Sequence, residues 1–327
     1  MILEVSGAMF AVILVGWLAR RHGYLDATAT AGLSRLLVDV TFPALVFIQL
    51  LRTVDAEVLR ARWYVPVLGA GILVSSGLVG AALAPVFAPA PRRRTFVFLV
   101  AIANWIFLPL PIAQALHGAE GVQTVLLVNV GAQVVLWTVG PWLLRGAEDG
   151  RGLLDLVRNP GMVATATGLA VALSWPAARL AASGMADRPT FFSYAAASLL
   201  RGVDLVATLT VPLSLVVTGA QLASATRGAA DDRRPLVGLV VARLLAAPLA
   251  FALVLVIASR LGARIAHVPA TVCFAIAAMP SAVSCGPFAE RFGGDVRLAT
   301  RGVFATTVVG LLTVPIAMSL AERWLLR

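Results

Sequence analysis

Long apolar segments separated by short charged breaks follow one another along this chain. A helix needs about 20 apolar residues to cross a bilayer, and ten segments of about this length can be marked. The sixth gives the weakest signal, because it is short and contains Pro176. The segments are 3–19, 34–51, 63–87, 95–116, 122–144, 161–178, 198–223, 236–258, 268–289 and 302–321. The pattern predicts an all-α integral membrane protein with ten transmembrane helices.

Short motifs from the first half of the chain return in the second half. Residues 40–43 (Val-Thr-Phe-Pro) match residues 209–212 (Leu-Thr-Val-Pro), and the run 98–118 matches the run 274–293. Each half holds five segments, and because five is an odd number the second half enters the membrane from the opposite face. Inverted repeats of this kind are a common design of secondary transporters. The expected five-helix repeats are residues 1–150 and 151–327.

Composition agrees with a membrane setting. Hydrophobic residues make up 60% of the chain and charged residues 13%, whereas soluble domains are about 45–50% apolar and about 25% charged. The net charge is +10, and all 26 basic residues are arginine. They are scattered through the short breaks and form no stripe interleaved with aromatic residues, so no nucleic-acid partner is expected. Their excess in alternate breaks favours an orientation with both termini outside, and the expected location is the cell inner (plasma) membrane.

Segments four and nine are each interrupted by prolines at matching positions of the two halves. A proline removes a backbone donor and clashes with the preceding turn, so each segment should unwind near its middle. Unwound backbone cannot be satisfied by lipid and must face protein or a wet cavity. Paired interruptions therefore predict a substrate site near the membrane midplane. The candidate binding residues at the two breaks are Asn104, Pro109, Pro111, Met279, Pro280, Ser281 and Ser284.

Four further polar residues lie inside apolar segments. Asn129 and Gln133 are one helical turn apart in segment five, and Thr218 and Gln221 share one face of segment seven. They are secondary candidates for substrate binding. Hydrogen bonds between helices are the more common use of such residues, since these bonds hold membrane bundles together.

The ionisable residues within the segments are few. Arg35 and Asp39 are four residues apart, and Arg201 and Asp204 are three apart, so each pair can neutralise itself on one helix face. We expect structural ion pairs here, with a proton relay as the alternative. Arg243 has no acid at helical spacing. It either extends to the interface or lies opposite an anionic substrate, and it joins the candidate binding residues.

Several short runs resemble the auxin efflux carrier family in the family's order, and the resemblance covers essentially the whole chain. They are 104–111, 115–121, 212–215, 219–222 and 278–282. The sequence departs from the family pattern at Pro109, where many relatives carry glycine.

The resemblance implies a fold shared with plant auxin exporters and bile acid/sodium symporters, in which helices four and nine cross at broken centres. It also implies a scaffold of segments one, two, six and seven, a moving transport domain and a homodimer formed through the scaffold. Bacterial members are often associated with small organic anions such as malate or malonate.

The expected function is a permease that moves a small organic anion, such as a mono- or dicarboxylate, by alternating access. Broken helices present partial positive charge at their N-terminal ends, which favours carboxylates. The alternative is a cation/proton antiporter or sodium-coupled symporter with the same crossed helices. An enzyme is not expected, because no Gly-x-Ser-x-Gly or His-Glu-x-x-His motif occurs, and neither a cofactor nor a metal is expected.

Overall fold

The computed structural model describes residues 2–145, 158, 160–175, 191–225 and 233–324. Within these ranges nearly every residue is helical and no β-strand is formed, so the predicted all-helical class is confirmed. Pro176 and the predicted repeat boundary at residue 150 lie outside them.

The helices of the first half alternate between long rods and short pieces. A π-turn at Leu37–Thr41 joins α2 to α3 in one continuous rod. Helix α7 changes direction at Gly118, whose φ of 56° and ψ of −138° are not helical. The part of α7 before this kink belongs to segment four, and the part after it belongs to segment five. The helices are α1 (Ile2–Arg21), α2 (Ala27–Leu36), α3 (Phe42–Thr53), α4 (Ala56–Ala61), α5 (Tyr64–Phe87), α6 (Arg93–Ala101) and α7 (Pro109–Arg145).

The second half shows the same alternation. Leu209 alone separates α9 from α10, and a second π-turn at Ala242–Ala246 joins α11 to α12. The helices are α8 (Pro160–Ser174), α9 (Phe191–Thr208), α10 (Thr210–Ala225), α11 (Arg233–Val241), α12 (Ala247–Arg260), α13 (His267–Ala277), α14 (Cys285–Arg291) and α15 (Val296–Trp324).

Six continuous helices in the described ranges are long and apolar enough to cross a membrane. Helices α6, α13 and α14 are shorter because they are pieces of the interrupted segments four and nine. The chain is therefore a multi-pass membrane protein, and the count of ten spans stays a prediction. The six are Ala27–Thr53, Tyr64–Phe87, Pro109–Leu144, Tyr194–Ala223, Arg233–Arg260 and Val296–Leu320.

Each π-turn ends just before a proline. Pro43 and Pro248 are the second residues of the helices that follow the two π-turns. A proline in an α-helix lacks an N–H and its ring clashes with the carbonyl four residues earlier. The wider turn shifts the hydrogen bonds by one residue, as when the Phe42 N–H reaches the carbonyl of Leu37. The rods can therefore contain proline without breaking.

Glycines allow two pairs of helices to pack with their backbones in contact. A Cβ atom at Gly219 of α10 would overlap the carbonyl oxygen of Ile13 in α1, and one at Gly131 of α7 would overlap that of Pro66 in α5. Small residues are the usual means by which membrane helices approach this closely. Residues of both α5 and α7 belong to the central apolar core.

One interhelical ion pair corrects the sequence-based pairing of charges. Asp204 of α9 is held by Arg52 of α3, with two N–O distances of 2.7 and 2.9 Å. The predicted Arg201–Asp204 pair is wrong, because the carboxylate accepts both bonds from the planar guanidinium of the neighbouring helix. Arg35 and Asp39 also do not pair with each other, and both side chains are exposed.

Candidate substrate site at the helix crossover

The interruptions of segments four and nine meet in the centre of the protein. Residues 102–108 separate α6 from α7, and residues 278–284 separate α13 from α14. Ala103 and Ser281 form an antiparallel β-bridge, which is the one such bridge in the part of the chain that the structure describes. The two unwound stretches therefore pair with each other rather than facing lipid.

Two main-chain hydrogen bonds flank this bridge. The Asn104 N–H donates to the carbonyl of Pro280 over 2.8 Å, and the Ala282 N–H donates to the carbonyl of Ile102 over 2.9 Å. Each break thus satisfies backbone groups that the other leaves open, as a low-dielectric interior requires. The pairing fixes the relative position of four half-helix ends.

The prolines of segment four lie at the start of a helix and not within the break itself. Pro109 is the first residue of α7 and Pro111 the third, positions where a missing N–H costs no helical hydrogen bond. The side-chain oxygen of Asn104 accepts a 3.0 Å hydrogen bond from the N–H of Phe107 and closes the turn before the helix. Pro109 and Pro111 therefore restart the helix and do not line the cavity beside it.

Ser281 and Met279 are packed behind the crossover. The Ser281 hydroxyl donates to the carbonyl of Leu99 over 2.7 Å, and its N–H donates to the hydroxyl of Thr306 over 3.2 Å. Ser281 is completely buried, and Met279 packs in an apolar cluster on the other side. Both residues help to hold the crossover together, and a direct contact of either with substrate stays a prediction.

A cavity that is partly open to the surroundings adjoins the paired breaks. Asn104 from one break and Ser284 from the other line it, together with Gln133 of α7. The structure thus brings three of the predicted binding residues around one space. Half of the remaining lining residues are aromatic, and they come from the first break and from α3, α7 and α14. These aromatic residues are Phe42, Trp105, Phe107, Trp137 and Phe288.

Two amide side chains on α7 hold two of the cavity's indole rings. The Trp105 Nε1–H donates to Asn129 Oδ1 over 3.0 Å, and the Trp137 Nε1–H donates to Gln133 Oε1 over 2.9 Å. Asn129 itself is fully buried, and its Nδ2 has no hydrogen-bond partner among the described residues. Asn129 thus acts on the cavity through Trp105, whereas Gln133 is part of its wall.

Arg243 lies beneath the crossover and not in the cavity. Its Nε donates to the carbonyl of Met279 over 2.9 Å and its Nη1 to that of Val100 over 2.7 Å, while Nη2 donates to the carbonyl of Ala277. The side chain is completely buried. The side chain therefore does not extend to the membrane interface. Its guanidinium bonds main-chain oxygens, and a direct contact with an anionic substrate stays a prediction.

Thr218 and Gln221 lie away from the cavity, on α10. Thr218 donates its hydroxyl to the carbonyl of Ser214 in its own helix over 2.7 Å. Gln221 donates its amide to the Ser34 hydroxyl of α2 over 3.4 Å. Their contacts are those of residues that hold helices together, and a role in binding stays a prediction.

Sequence reasoning missed the aromatic wall. A weak signal was present, since Trp105 follows Asn104 directly and Trp137 lies one helical turn after Gln133. Phe42 and Phe107 touch edge to face with ring centres 5.7 Å apart, and no spacing within one segment indicates a contact of this kind. The described residues hold no cluster of His, Cys, Asp and Glu that could bind a metal ion.

Comparison with known proteins assigns the chain to a family. None of the curated proteins matches it. A family model described as membrane transport protein matches residues 5–151 and 150–318, which is nearly the whole chain. This is the family of auxin efflux carriers that the sequence motifs resemble. The chain therefore belongs to the auxin efflux carrier and membrane transport protein family.

Proposed function

We propose that this transporter moves a small organic anion with an apolar body by alternating access, and that it binds the anion in the cavity beside the helix crossover. One observation carries the proposal. The two interrupted segments pair through Ala103 and Ser281, and residues of both breaks line one cavity. Substrate sites of secondary transporters typically lie where two broken helices meet.

Charge around the crossover favours an anion. Arg243 is the one charged side chain in the buried core of the described ranges, and no described carboxylate pairs with it. The cavity residues Asn104–Phe107 lead directly into α7, so the positive end of that helix adjoins the cavity. Pro109 and Pro111 have no N–H and the Leu110 N–H donates to the carbonyl of Ile106, so the dipole of the helix, and not free N–H groups at its start, favours a carboxylate here.

The lining narrows the class of anion. Five aromatic rings offer apolar surface, whereas the polar groups of the wall are the side chains of Asn104, Gln133 and Ser284. A ligand with one carboxylate and an apolar or aromatic body can bury its ring against that surface. A dicarboxylate would have to desolvate a second charge with few donors to receive it, at considerable cost. We therefore favour a monocarboxylate.

Alternating access requires that the cavity lie between parts that move. Val38 and Phe42 line the cavity from the rod α2–α3, and residues of the paired breaks line the rest of it together with α7 and α14. We propose ten spans in two inverted repeats in the inner membrane, with both termini outside. A scaffold of α1, α2, α3, α8, α9 and α10 would dimerise, and the crossover helices would move against it. Family membership supports this arrangement.

A proton-linked mechanism is the second candidate. Asp39 lies in the π-turn next to the cavity residue Val38, and no described residue pairs with its exposed carboxylate. An acid within a membrane span is a common place for a proton to bind during transport. This candidate keeps the same cavity and adds a coupled proton.

Uptake into proteoliposomes tests the proposal. The purified protein would be offered four labelled solutes: benzoate, malate, alanine and rubidium ion. We expect benzoate uptake above that of empty liposomes, less uptake of malate, and none of alanine or rubidium ion. Ser284→Ala should weaken benzoate uptake, whereas Thr208→Val, at an exposed position outside the cavity, should leave it unchanged. Transport of rubidium ion without any anion would overturn the proposal.

A further inference from the structure

Three main-chain oxygens converge on the guanidinium of Arg243, and all belong to C-terminal ends of the interrupted helices. Val100 lies in the last turn of α6, Ala277 is the last residue of α13, and Met279 follows two residues later. The last carbonyls of a helix have no partner within it and carry partial negative charge. Arg243 thus satisfies orphan acceptors of both interrupted segments at once.

The local backbone explains how the side chain reaches this position. Arg243 lies within the π-turn Ala242–Ala246, where the rod α11–α12 widens by one residue. The planar guanidinium carries five N–H donors in a fixed fork, and three of its nitrogens bond to three different carbonyls. No carboxylate of the described part of the chain pairs with it. Carbonyl dipoles are therefore the groups that compensate its charge.

A carbonyl cluster of this kind is a cation site. In transporters with broken helices, unwound carbonyls and half-helix C-terminal ends coordinate the sodium ion that drives the substrate. Here a cation attached to the chain already occupies such a cluster. A second cation at the same oxygens would meet a fixed positive charge a few ångströms away, in surroundings that screen it poorly.

We propose that Arg243 is a resident cation that replaces a coupling sodium ion at the crossover, so that the anion is moved without sodium. The claim that Arg243 is a resident cation rests only on the contacts of its side chain. The claim that transport does not need sodium rests also on the proposed function, since it concerns movement of the anion. The proposal disfavours the sodium-coupled alternative that the crossed-helix fold left open.

Thermal stability of the purified protein tests the resident cation without any substrate. The wild-type protein should unfold within about 1 °C of the same temperature in sodium and in potassium chloride of equal ionic strength, because Arg243 leaves no room for sodium at the carbonyl cluster. Arg243→Ala should lower that temperature by about 5 °C or more, since three buried carbonyls lose their donor. Guanidinium ion at about 10 mM should restore part of this loss by binding in the vacated cluster. Arg260→Ala, at an exposed position of α12, is the matched control and should change nothing.

Two outcomes would overturn the resident cation: stabilisation of the wild type by sodium over potassium, or an Arg243→Ala variant as stable as the wild type. If Arg243→Ala does not fold, Arg243→Lys decides. It keeps the charge with fewer donors, so we expect it to fold with intermediate stability and no response to sodium. Stabilisation of the lysine variant by sodium would count against the proposal.

Uptake separates this inference from the proposed function. Benzoate uptake into proteoliposomes in sodium buffer should equal uptake in potassium buffer to within about twofold, a difference too small for an obligatory coupling ion. Uptake that needs sodium would refute the inference and leave anion transport intact. If neither benzoate nor malate is taken up, the proposed function fails and sodium independence fails with it. The stability measurements then still decide whether Arg243 is a resident cation.

Discussion

The hydroxyl of Thr210 donates a 2.7 Å hydrogen bond to the main-chain oxygen of Thr41. The two residues occupy the same place in the two Thr-x-Pro motifs of the chain, 169 positions apart. Residues related by an inverted repeat meet each other where the pseudo-two-fold axis passes between the halves. The contact therefore supports the proposed repeat, and it joins the rod α2–α3 to α10.

Removing this hydrogen bond should destabilise the protein. Both residues are buried, so Thr210→Val leaves the Thr41 oxygen without its donor, and we expect a loss of about 1 kcal/mol in the free energy of unfolding. Thr210→Ser keeps the hydroxyl and should lose less. Thermal unfolding in detergent measures both changes, with the exposed Thr208→Val as control. Equal stabilities of the valine and serine variants would show that the bond contributes nothing.

Ser281 and Ser284 lie three residues apart and should respond differently to loss of the hydroxyl. Ser281→Ala deprives the Leu99 carbonyl of its 2.7 Å bond and should reduce stability by about 1–2 kcal/mol. Ser284 lines the cavity and is only partly buried, so Ser284→Ala should change stability by less than about 0.5 kcal/mol. Its effect should fall on substrate affinity. The assignment is wrong if Ser284→Ala unfolds earlier than Ser281→Ala.

The aromatic wall should determine affinity for the body of the substrate. Phe107 lines the cavity and its ring touches that of Phe42, so Phe107→Ala removes apolar surface and should raise the KM for benzoate about tenfold. Trp142 is 58% exposed on the outside of α7, and Trp142→Ala is the matched control. Unchanged KM in both variants would move the site away from this cavity.

Asp39 separates the two candidate mechanisms. If the anion moves without a coupled proton, Asp39→Asn should retain benzoate uptake to within about twofold, both with and without an inward proton gradient. Glu57→Gln, at an exposed position of α4, controls for the loss of a surface charge. The proton-linked candidate replaces the first if a proton gradient stimulates the wild type and not the asparagine variant.

The features that sequence could predict are local ones. Pro109 and Pro280 act on their own turns of the backbone, so the interruption of segments four and nine was visible without a structure. The apolar length of each segment is likewise a property of neighbouring residues, and it predicted the helical class that the structure confirms.

The features that sequence missed depend on partners far along the chain. Asp204 was paired with Arg201, three residues away, but its partner is Arg52, 152 positions earlier. Arg243 has no acid at helical spacing, and its partners are main-chain oxygens. Because every residue has a main-chain oxygen, no spacing in the sequence indicates which of them Arg243 will bond. The cavity's aromatic wall is assembled from separate helices, so only the fold brings Phe42 and Phe107 together.

The claim that an anion binds between the two breaks is tested most directly by labelling at Ser284. The partly buried Ser284→Cys should react with a polar maleimide, whereas the native Cys273 and Cys285 are buried and should give little background. A saturating concentration of benzoate should slow the labelling of Ser284→Cys about fivefold or more, as expected when most cavities are occupied. Labelling of the exposed Glu57→Cys should not change. Labelling of Ser284→Cys at the same rate with and without benzoate, in protein that transports benzoate, would contradict a binding site at the crossover.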